Sequence, residues 1–262
     1  MTSTFDRAER TSISDEDAYL FVCERAAHDP ERFADFKRDP AYVQILEHVT
    51  CEQGAHYLER ALAVAPWLGD RLPELRRNDE LGSPRVCDFG PHGPFSPTTL
   101  RYVKVLADLV GLFGPPDGMR VVEIGAGYGG QCFVVSTVST PSSYVLVDLE
   151  PCLALQRSYL AALGVQAEFM RSGDLPVDAE YDLVVSNYAF SECTGQVQRH
   201  YLERVLARSK RGYLTVNWIN PHGFRSLSRG DLAAALPGAR WLPEEPRTAP
   251  TNEILVWGDS GA

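Results

Sequence analysis

Several features that mark other protein classes are missing from this sequence. No stretch approaches about 18 consecutive apolar residues, the length needed to cross a bilayer. The first residues, MTSTFDRAERTSISDED, contain no apolar segment of the kind found in signal peptides. We therefore expect a cytoplasmic protein with no membrane partner.

Basic residues are the minority charge, and they form no run along the chain. The sequence has 25 Lys and Arg against 35 Asp and Glu, a formal net charge of −10. A field of this sign repels the phosphate backbone of nucleic acids. We therefore expect no nucleic-acid partner, and a neutral or cationic small molecule suits the chain better as a substrate.

Cysteine is scarce and shows no metal-binding spacing. None of the six cysteines belongs to a C-x-x-C pair, and the sequence has no D-D or H-x-x-D signature. We interpret the cysteines as reduced, mostly buried thiols, and we predict no metal site. The six are Cys23, Cys51, Cys87, Cys132, Cys152 and Cys193.

What is present is the composition of a globular protein in three zones. The 262 residues are 44% hydrophobic, enough for one large domain or one domain with a helical extension. Helical apolar spacing over residues 1–75 predicts a cap, a lid or a homodimer contact. Residues 76–118 form a turn-rich linker and a leading helix that Ser96 caps. Residues 119–262 are predicted to form the ligand-binding catalytic domain.

Short apolar runs alternate with helical stretches in the third zone. Such runs predict a parallel sheet covered on both faces, a doubly wound, Rossmann-like α/β fold. We expect the sheet to be mostly parallel, with an antiparallel C-terminal strand. The predicted strands are 119–124, 144–148, 165–170, 181–186, 212–217 and 253–257.

A glycine-rich turn follows the first of these strands in the sequence VVEIGAGYGGQ. It contains G-x-G-x-x-G, which alone is a weak signal and fits a dinucleotide site. Glu123, however, stands two residues before Gly125, where an acid suits a ligand with an ammonium group better than one with a pyrophosphate. The glycines also fit E-x-G-x-G-x-G, the form found in class I S-adenosylmethionine methyltransferases.

Two later acids follow strands at the spacing that such a ligand requires. Asp148 lies 21 residues after Gly127 and can accept both ribose hydroxyls, although it can also cap a helix. Asp174 can contact the adenine amino group, although it can also form a turn. Together with the glycine loop they predict S-adenosylmethionine as the cofactor. The predicted cofactor-binding residues are Glu123, Gly125, Ala126, Gly127, Gln131, Asp148, Leu149, Asp174, Leu175 and Asn187.

From about residue 80 to 257 the sequence also resembles the bacterial sugar O-methyltransferases. The resemblance is carried by SPTTLRY (96–102), VVEIGAGYGGQC (121–132), SNYAFSECT (186–194), GYLTVN (212–217) and EEPRTAPTNEILVW (244–257). It implies methyl transfer to a hydroxyl of a sugar or a glycosylated secondary metabolite.

The acceptor should lie beside the carboxyl ends of the fourth and fifth strands, where aromatic and hydrogen-bonding side chains alternate. A hydroxyl is a poor nucleophile at neutral pH, so a general base is expected. Each candidate residue for the acceptor site could instead belong to the core, a turn or the solvated surface. His48 is expected at the surface or at an interface. The predicted substrate-binding residues are Tyr188, Phe190, Asn217 and His92, and the predicted bases are Glu192, His222 and Glu245, with His92 behind them.

Two other functions are compatible with the same predicted cofactor-binding residues. One is methylation of a nitrogen or another group on a small biosynthetic intermediate, which only the acceptor pocket would distinguish. The other is a non-catalytic module that binds S-adenosylmethionine or a nucleotide.

Overall fold

The main element of the fold is a seven-stranded mixed sheet, seen in a computed structural model that describes residues 11–14 and 16–258. Its spatial order is β5-β4-β3-β6-β7-β9-β8, and β1 and β2 form a separate hairpin. The strands are β1 (Cys87–Asp88), β2 (Pro94–Phe95), β3 (Arg120–Ile124), β4 (Ser143–Val147), β5 (Glu168–Met170), β6 (Tyr181–Asn187), β7 (Ser209–Val216), β8 (Arg240–Pro243) and β9 (Glu253–Trp257).

The pairing confirms the predicted fold class. Strands β3 to β7 pair in parallel, and β9 runs antiparallel to both β7 and β8. The sheet is thus mostly parallel with an antiparallel C-terminal strand, in a doubly wound, Rossmann-like arrangement. The chain order reverses between β3 and β6, and ligands of such sheets bind in the crevice at that switch point.

Helices cover both faces of the sheet, and adjacent strand residues alternate between the two cores. Val121 on β3 belongs to the larger core, whereas Val122 belongs to the smaller one on the other face. The helices are α1 (Asp17–His28), α2 (Pro30–Phe33), α3 (Pro40–Ile45), α4 (Cys51–Val64), α5 (Leu68–Leu75), α6 (Pro97–Phe113), α7 (Gly130–Val138), α8 (Glu150–Ala162), α9 (Ala189–Glu192), α10 (Gly195–Arg204) and α11 (Arg229–Ala235).

The helices of the first 75 residues share the larger core with the sheet domain. Helix α1 packs on α8, and α4 packs on α6. Aromatic rings join the two parts: the centroid of Phe36 lies 5.9 Å from that of Tyr128 and 6.3 Å from that of Tyr159. Lys37 lies among them, and burial lowers its pKa to about 8. The helices α1 to α5 are therefore packed against the sheet domain.

The prediction that all six cysteines are reduced was wrong for one pair. Cys51 and Cys87 form a disulfide, with Cα atoms 5.8 Å apart, because the β1–β2 hairpin brings Cys87 to the start of α4. A separation of 36 residues hid this contact from the sequence pattern. Cys23, Cys132 and Cys152 are buried thiols, as predicted, and the Cys193 Sγ donates to the Ala189 carbonyl oxygen at 3.2 Å.

Most predicted elements are confirmed, with differences at the ends of the chain. All six predicted strands are present, and Ser96 Oγ accepts a hydrogen bond from the Thr98 amide at the start of α6. The helical spacing predicted over the first 75 residues is divided after Ile45, and Thr50 caps the start of α4 with a capping box. Strand β8 was missed because it is only four residues long and ends in Pro243. No helix among the described residues has the length and apolar character of a membrane span.

Candidate functional site

A cavity of about 710 Å³ lies at the carboxyl ends of the central strands. Its walls include Ile124 at the end of β3, Val147 at the end of β4 and Asn187 at the end of β6. Residues 11–14 and the turn between α3 and α4 cover it from the N-terminal side. Its volume lies within the roughly 300–1,000 Å³ typical of small-molecule sites.

The glycine loop forms one wall of the cavity and has no room for side chains. Gly125 and Gly127 have φ angles of +70° and +59°, a region that favours glycine. A Cβ on Gly125 would collide with Ala189 Cβ, and one on Gly127 would lie 2.8 Å from Leu46 Cδ1. The Gly125 amide donates to the Val147 carbonyl at 2.9 Å, which ties the loop to β4. The backbone here can approach a ligand closely.

Glu123 lies behind this loop rather than on the cavity wall. It is buried, and its Oε2 accepts a hydrogen bond from the Tyr144 hydroxyl at 2.8 Å. The ion pairs formed by residues 11–14 and 16–258 do not include it. Burial raises the pKa of Glu123 to about 8, so the carboxyl is mostly protonated at neutral pH. Two other predicted cofactor residues, Ala126 and Gln131, are also buried away from the cavity.

Asp148 stands at the cavity wall directly after β4. Its Oδ1 accepts from the Leu149 amide at 2.8 Å, and its Oδ2 accepts from Gln156 Nε2 at 2.9 Å. Gln156 also donates to the Gly127 carbonyl at 3.0 Å, which holds the acid beside the glycine loop. Burial raises the pKa of Asp148 to about 6. Leu149, not Asp148, occupies the N-cap of α8, and it lines the cavity with an exposed fraction of 39%.

The third predicted acid does not reach the cavity. Asp174 is half-exposed, and its Oδ2 accepts from Arg171 Nε at 2.6 Å on the surface. Leu175 is buried in the smaller core. Ser172, in the same turn, lines the cavity instead, and its carbonyl lies 2.8 Å from His200 Nε2.

The end of β6 supplies a buried donor and a strained aromatic residue. Asn187 lines the cavity, and its buried Nδ2 has no partner among the described residues. Tyr188 has a φ of +68°, which is uncommon for a residue with a side chain, and its hydroxyl is hydrogen-bonded to Glu244. Backbone strain of this kind clusters at functional sites. Phe190 is instead buried in the smaller core.

Of the three predicted bases, Glu192 lines this cavity. Its Oε1 accepts from Asn217 Nδ2 at 2.8 Å, and Asn217 Oδ1 accepts in turn from the Ser191 hydroxyl at 2.8 Å. This chain of hydrogen bonds fixes the carboxylate next to the ends of β6 and β7. The arrangement can hold a base in one orientation toward a ligand.

The other predicted acceptor-side residues lie elsewhere. His222 lines a second cavity of about 430 Å³, which Asn217 separates from the first. Glu245 is about half-exposed and forms an ion pair with Arg60 at 3.2 Å. His92 lies in the turn between β1 and β2, outside both cavities.

Several cavity residues come from the part of the chain before β3 and were not predicted as site residues. They include Leu46, His48, Tyr57 and Arg101. Desolvation lowers the pKa of His48, and nearby Arg101 acts in the same direction, so the imidazole is neutral at pH 7. His48 is exposed, which agrees with its prediction as a surface or interface residue, and it also lines the cavity. No local sequence signal marked Arg101, because its place in the cavity depends on the packing of α4 on α6.

No group of three or more histidine, cysteine or acidic side chains in the described part of the chain could hold a metal ion.

No family model matches the chain, and no curated protein matches it. Among solved structures it is similar to the Thermus thermophilus 16S rRNA N2 G1207 methyltransferase RsmC in complex with AdoMet and guanosine, at 19% identity and a TM-score of 0.46, over 66% of this chain and 45% of that one. It is also similar to an S-adenosylmethionine-dependent methyltransferase of Clostridium acetobutylicum, at 9% identity and a TM-score of 0.41, over 52% and 82% of the two chains. The pyocyanin biosynthetic protein PhzM is a third, at 15% identity and a TM-score of 0.43, over 63% and 58%.

Proposed function

We propose that this protein is an S-adenosylmethionine-dependent methyltransferase that acts on a hydroxyl of a sugar or glycosylated metabolite. One observation carries the proposal. A single cavity joins the glycine loop and Asp148 to Asn187, Glu192 and Asn217. A site for the methyl donor and a site for a polar acceptor therefore adjoin at the topological switch point of the sheet.

The cavity wall fits the proposed cofactor. Gly125 and Gly127 allow close approach of the backbone, and Asp148 can accept hydrogen bonds from the two ribose hydroxyls. The exposed apolar surface of Leu149 suits the face of an adenine ring. The unpartnered Nδ2 of Asn187 can donate to an acceptor atom of a ligand, because buried polar groups in folded proteins are normally hydrogen-bonded.

Hydrogen-bonding groups support a polyhydroxylated acceptor. Beyond Asn187 the cavity is lined by side chains with planar amide or phenol groups, which can pair with ring hydroxyls and stack on sugar faces. These side chains are Gln53, Tyr57, Tyr188, Asn217 and Asn252. The resemblance of SNYAFSECT and EEPRTAPTNEILVW to sugar O-methyltransferases points to the same class of acceptor.

The work of the protein is then mainly alignment and proton removal. When bound, S-adenosylmethionine supplies a methyl group that the sulfonium has already activated. The cavity aligns the acceptor and excludes water. Glu192, held at Oε1 by Asn217, takes the proton of the acceptor hydroxyl. The neutral imidazole of His48, in the turn between α3 and α4, is a second proton acceptor that lines the cavity.

A methyl-transfer assay with labelled cofactor tests the proposal. We would pair each glycoside with the matching amino sugar, so that the two acceptors differ at one group. We expect label on the glycoside, sensitive to Glu192→Gln. Label on amino sugars alone would contradict the hydroxyl acceptor. No transfer together with no S-adenosylhomocysteine binding would contradict the whole proposal.

A further inference from the structure

Arg101 is a buried cation whose contacts among the described residues are a backbone carbonyl and the ring of Tyr102, whose centroid lies 5.7 Å from the guanidinium carbon. It lies on α6 with an exposed fraction of 8% and lines the cavity. Its guanidinium donates one long hydrogen bond, 3.4 Å from Nη2 to the Leu46 carbonyl oxygen. Its buried Nε has no partner among the described residues. A guanidinium has five N–H donors, so most of its bonding capacity is unused.

The charge of Arg101 is not neutralised by an ion pair of the described residues. An acid whose charge acts on Arg101, Glu47, accepts a hydrogen bond from the Ser96 hydroxyl at 3.3 Å and lies outside the cavity wall. Taking an unpaired charge out of water is costly, and buried charges are normally paired. A ligand that supplies the missing negative charge would explain why the residue is placed here.

The surroundings indicate what kind of anion this would be. Arg101 is the one lysine or arginine among the described residues that line the cavity, whereas three acids, Glu16, Asp148 and Glu192, also line it. One guanidinium balances one negative charge, and its planar fork matches the two oxygens of a carboxylate. A phosphate would bring more negative charge than these walls can balance.

We propose that Arg101 binds the carboxylate of a ligand in this cavity. The inference rests on the proposed function, because that function supplies two sources of a carboxylate. One is the amino-acid end of the cofactor, and the other is an acidic sugar acceptor. Both would use the same fork of N–H donors at the same place.

The first arm of the test compares S-adenosylhomocysteine, which has the carboxylate, with 5′-methylthioadenosine, which lacks the amino-acid end. Calorimetry would measure both ligands on the wild type and on Arg101→Gln. If the cofactor supplies the carboxylate, the variant loses about 10- to 100-fold in affinity for S-adenosylhomocysteine, and 5′-methylthioadenosine binds unchanged. Arg101→Lys keeps the charge but not the planar fork of N–H donors. Its affinity for S-adenosylhomocysteine should therefore lie between those of the wild type and Arg101→Gln.

The second arm tests the acceptor as the source. With S-adenosylhomocysteine present, p-nitrophenyl glucuronide and p-nitrophenyl glucoside would be titrated in turn. If the acceptor supplies the carboxylate, the wild type prefers the glucuronide, and Arg101→Gln loses this preference while its affinity for S-adenosylhomocysteine is unchanged.

Arg77→Gln is the matched control, because Arg77 is about half-exposed and lies outside the cavity. It should bind every ligand as the wild type does. Unchanged binding of all four ligands by Arg101→Gln would overturn the inference. An equal loss for S-adenosylhomocysteine and 5′-methylthioadenosine, with a lower melting temperature, would also overturn it, because Arg101 would then be structural. If the wild type binds neither nucleoside, the proposed function itself fails.

Discussion

Replacing Glu123 by glutamine should stabilise the ligand-free protein, and the gain should grow with pH. The carboxyl is buried, and desolvation raises its pKa from 4.5 to about 8. A group with a raised pKa in the folded state favours folding below its unfolded pKa, and this contribution is lost as the pH rises through the folded value. Glutamine does not ionise, so Glu123→Gln escapes that loss.

The size of the effect follows from the shift in pKa. One pKa unit corresponds to about 1.4 kcal/mol, so the penalty of the ionised carboxylate approaches roughly 5 kcal/mol well above pH 8. Between pH 6 and pH 9 the stability difference between Glu123→Gln and the wild type should therefore widen by about 2–3 kcal/mol. Other titrating groups are common to both proteins and cancel in the difference.

Urea unfolding at pH 6, 7.5 and 9 would measure this difference. Glu59→Gln serves as a control, since Glu59 is an exposed residue of α4. Its stability should follow that of the wild type at every pH. If the curves of Glu123→Gln and the wild type also stay parallel, within about 0.5 kcal/mol, Glu123 is not the high-pKa group and our account of the buried carboxyl fails.

Three further predictions concern the cavity and the disulfide. Gly127→Val should abolish cofactor binding in a folded protein, because a Cβ at this position would lie 2.8 Å from Leu46 Cδ1 and the backbone φ is +59°. Unchanged affinity for the cofactor, measured by calorimetry, would reject the role of the glycine loop. Glu192→Gln should bind the cofactor normally but lose about 10²- to 10⁴-fold in kcat, whereas near wild-type turnover would remove Glu192 as the base. Cys51→Ser should destabilise the protein by about 2–4 kcal/mol in urea unfolding under non-reducing conditions, and the difference should vanish with a reductant that opens the bond to Cys87.

The sheet could be predicted from the sequence because its signals are local. Each buried strand is a short apolar run, and the turn after β3 needs glycines at Gly125 and Gly127, where φ is positive. The position of Asp148 could be predicted for the same reason, since the end of a strand fixes where the next residue lies. These features depend on neighbours along the chain, which a pattern can detect.

The rest of the site depends on contacts between distant segments. His48 and Arg101 reach the cavity because α4 packs on α6 over the strand ends, and no local pattern encodes that packing. Asp174 had the predicted position after β5, but Arg171, three residues before it, holds its side chain at the surface. The sequence placed His222 near the right strand, yet the loop after β7 directs it into the second cavity.

The most direct test of the central claim is calorimetric binding of S-adenosylhomocysteine to the wild type, Asp148→Asn and Asp174→Asn. Asp148 lines the cavity beside the glycine loop, whereas Asp174 is paired with Arg171 at the surface. We expect the wild type and Asp174→Asn to bind equally well and Asp148→Asn to bind about 10- to 100-fold more weakly. Equal binding by all three proteins, or no binding by the wild type, would contradict the assignment of this cavity as the cofactor site.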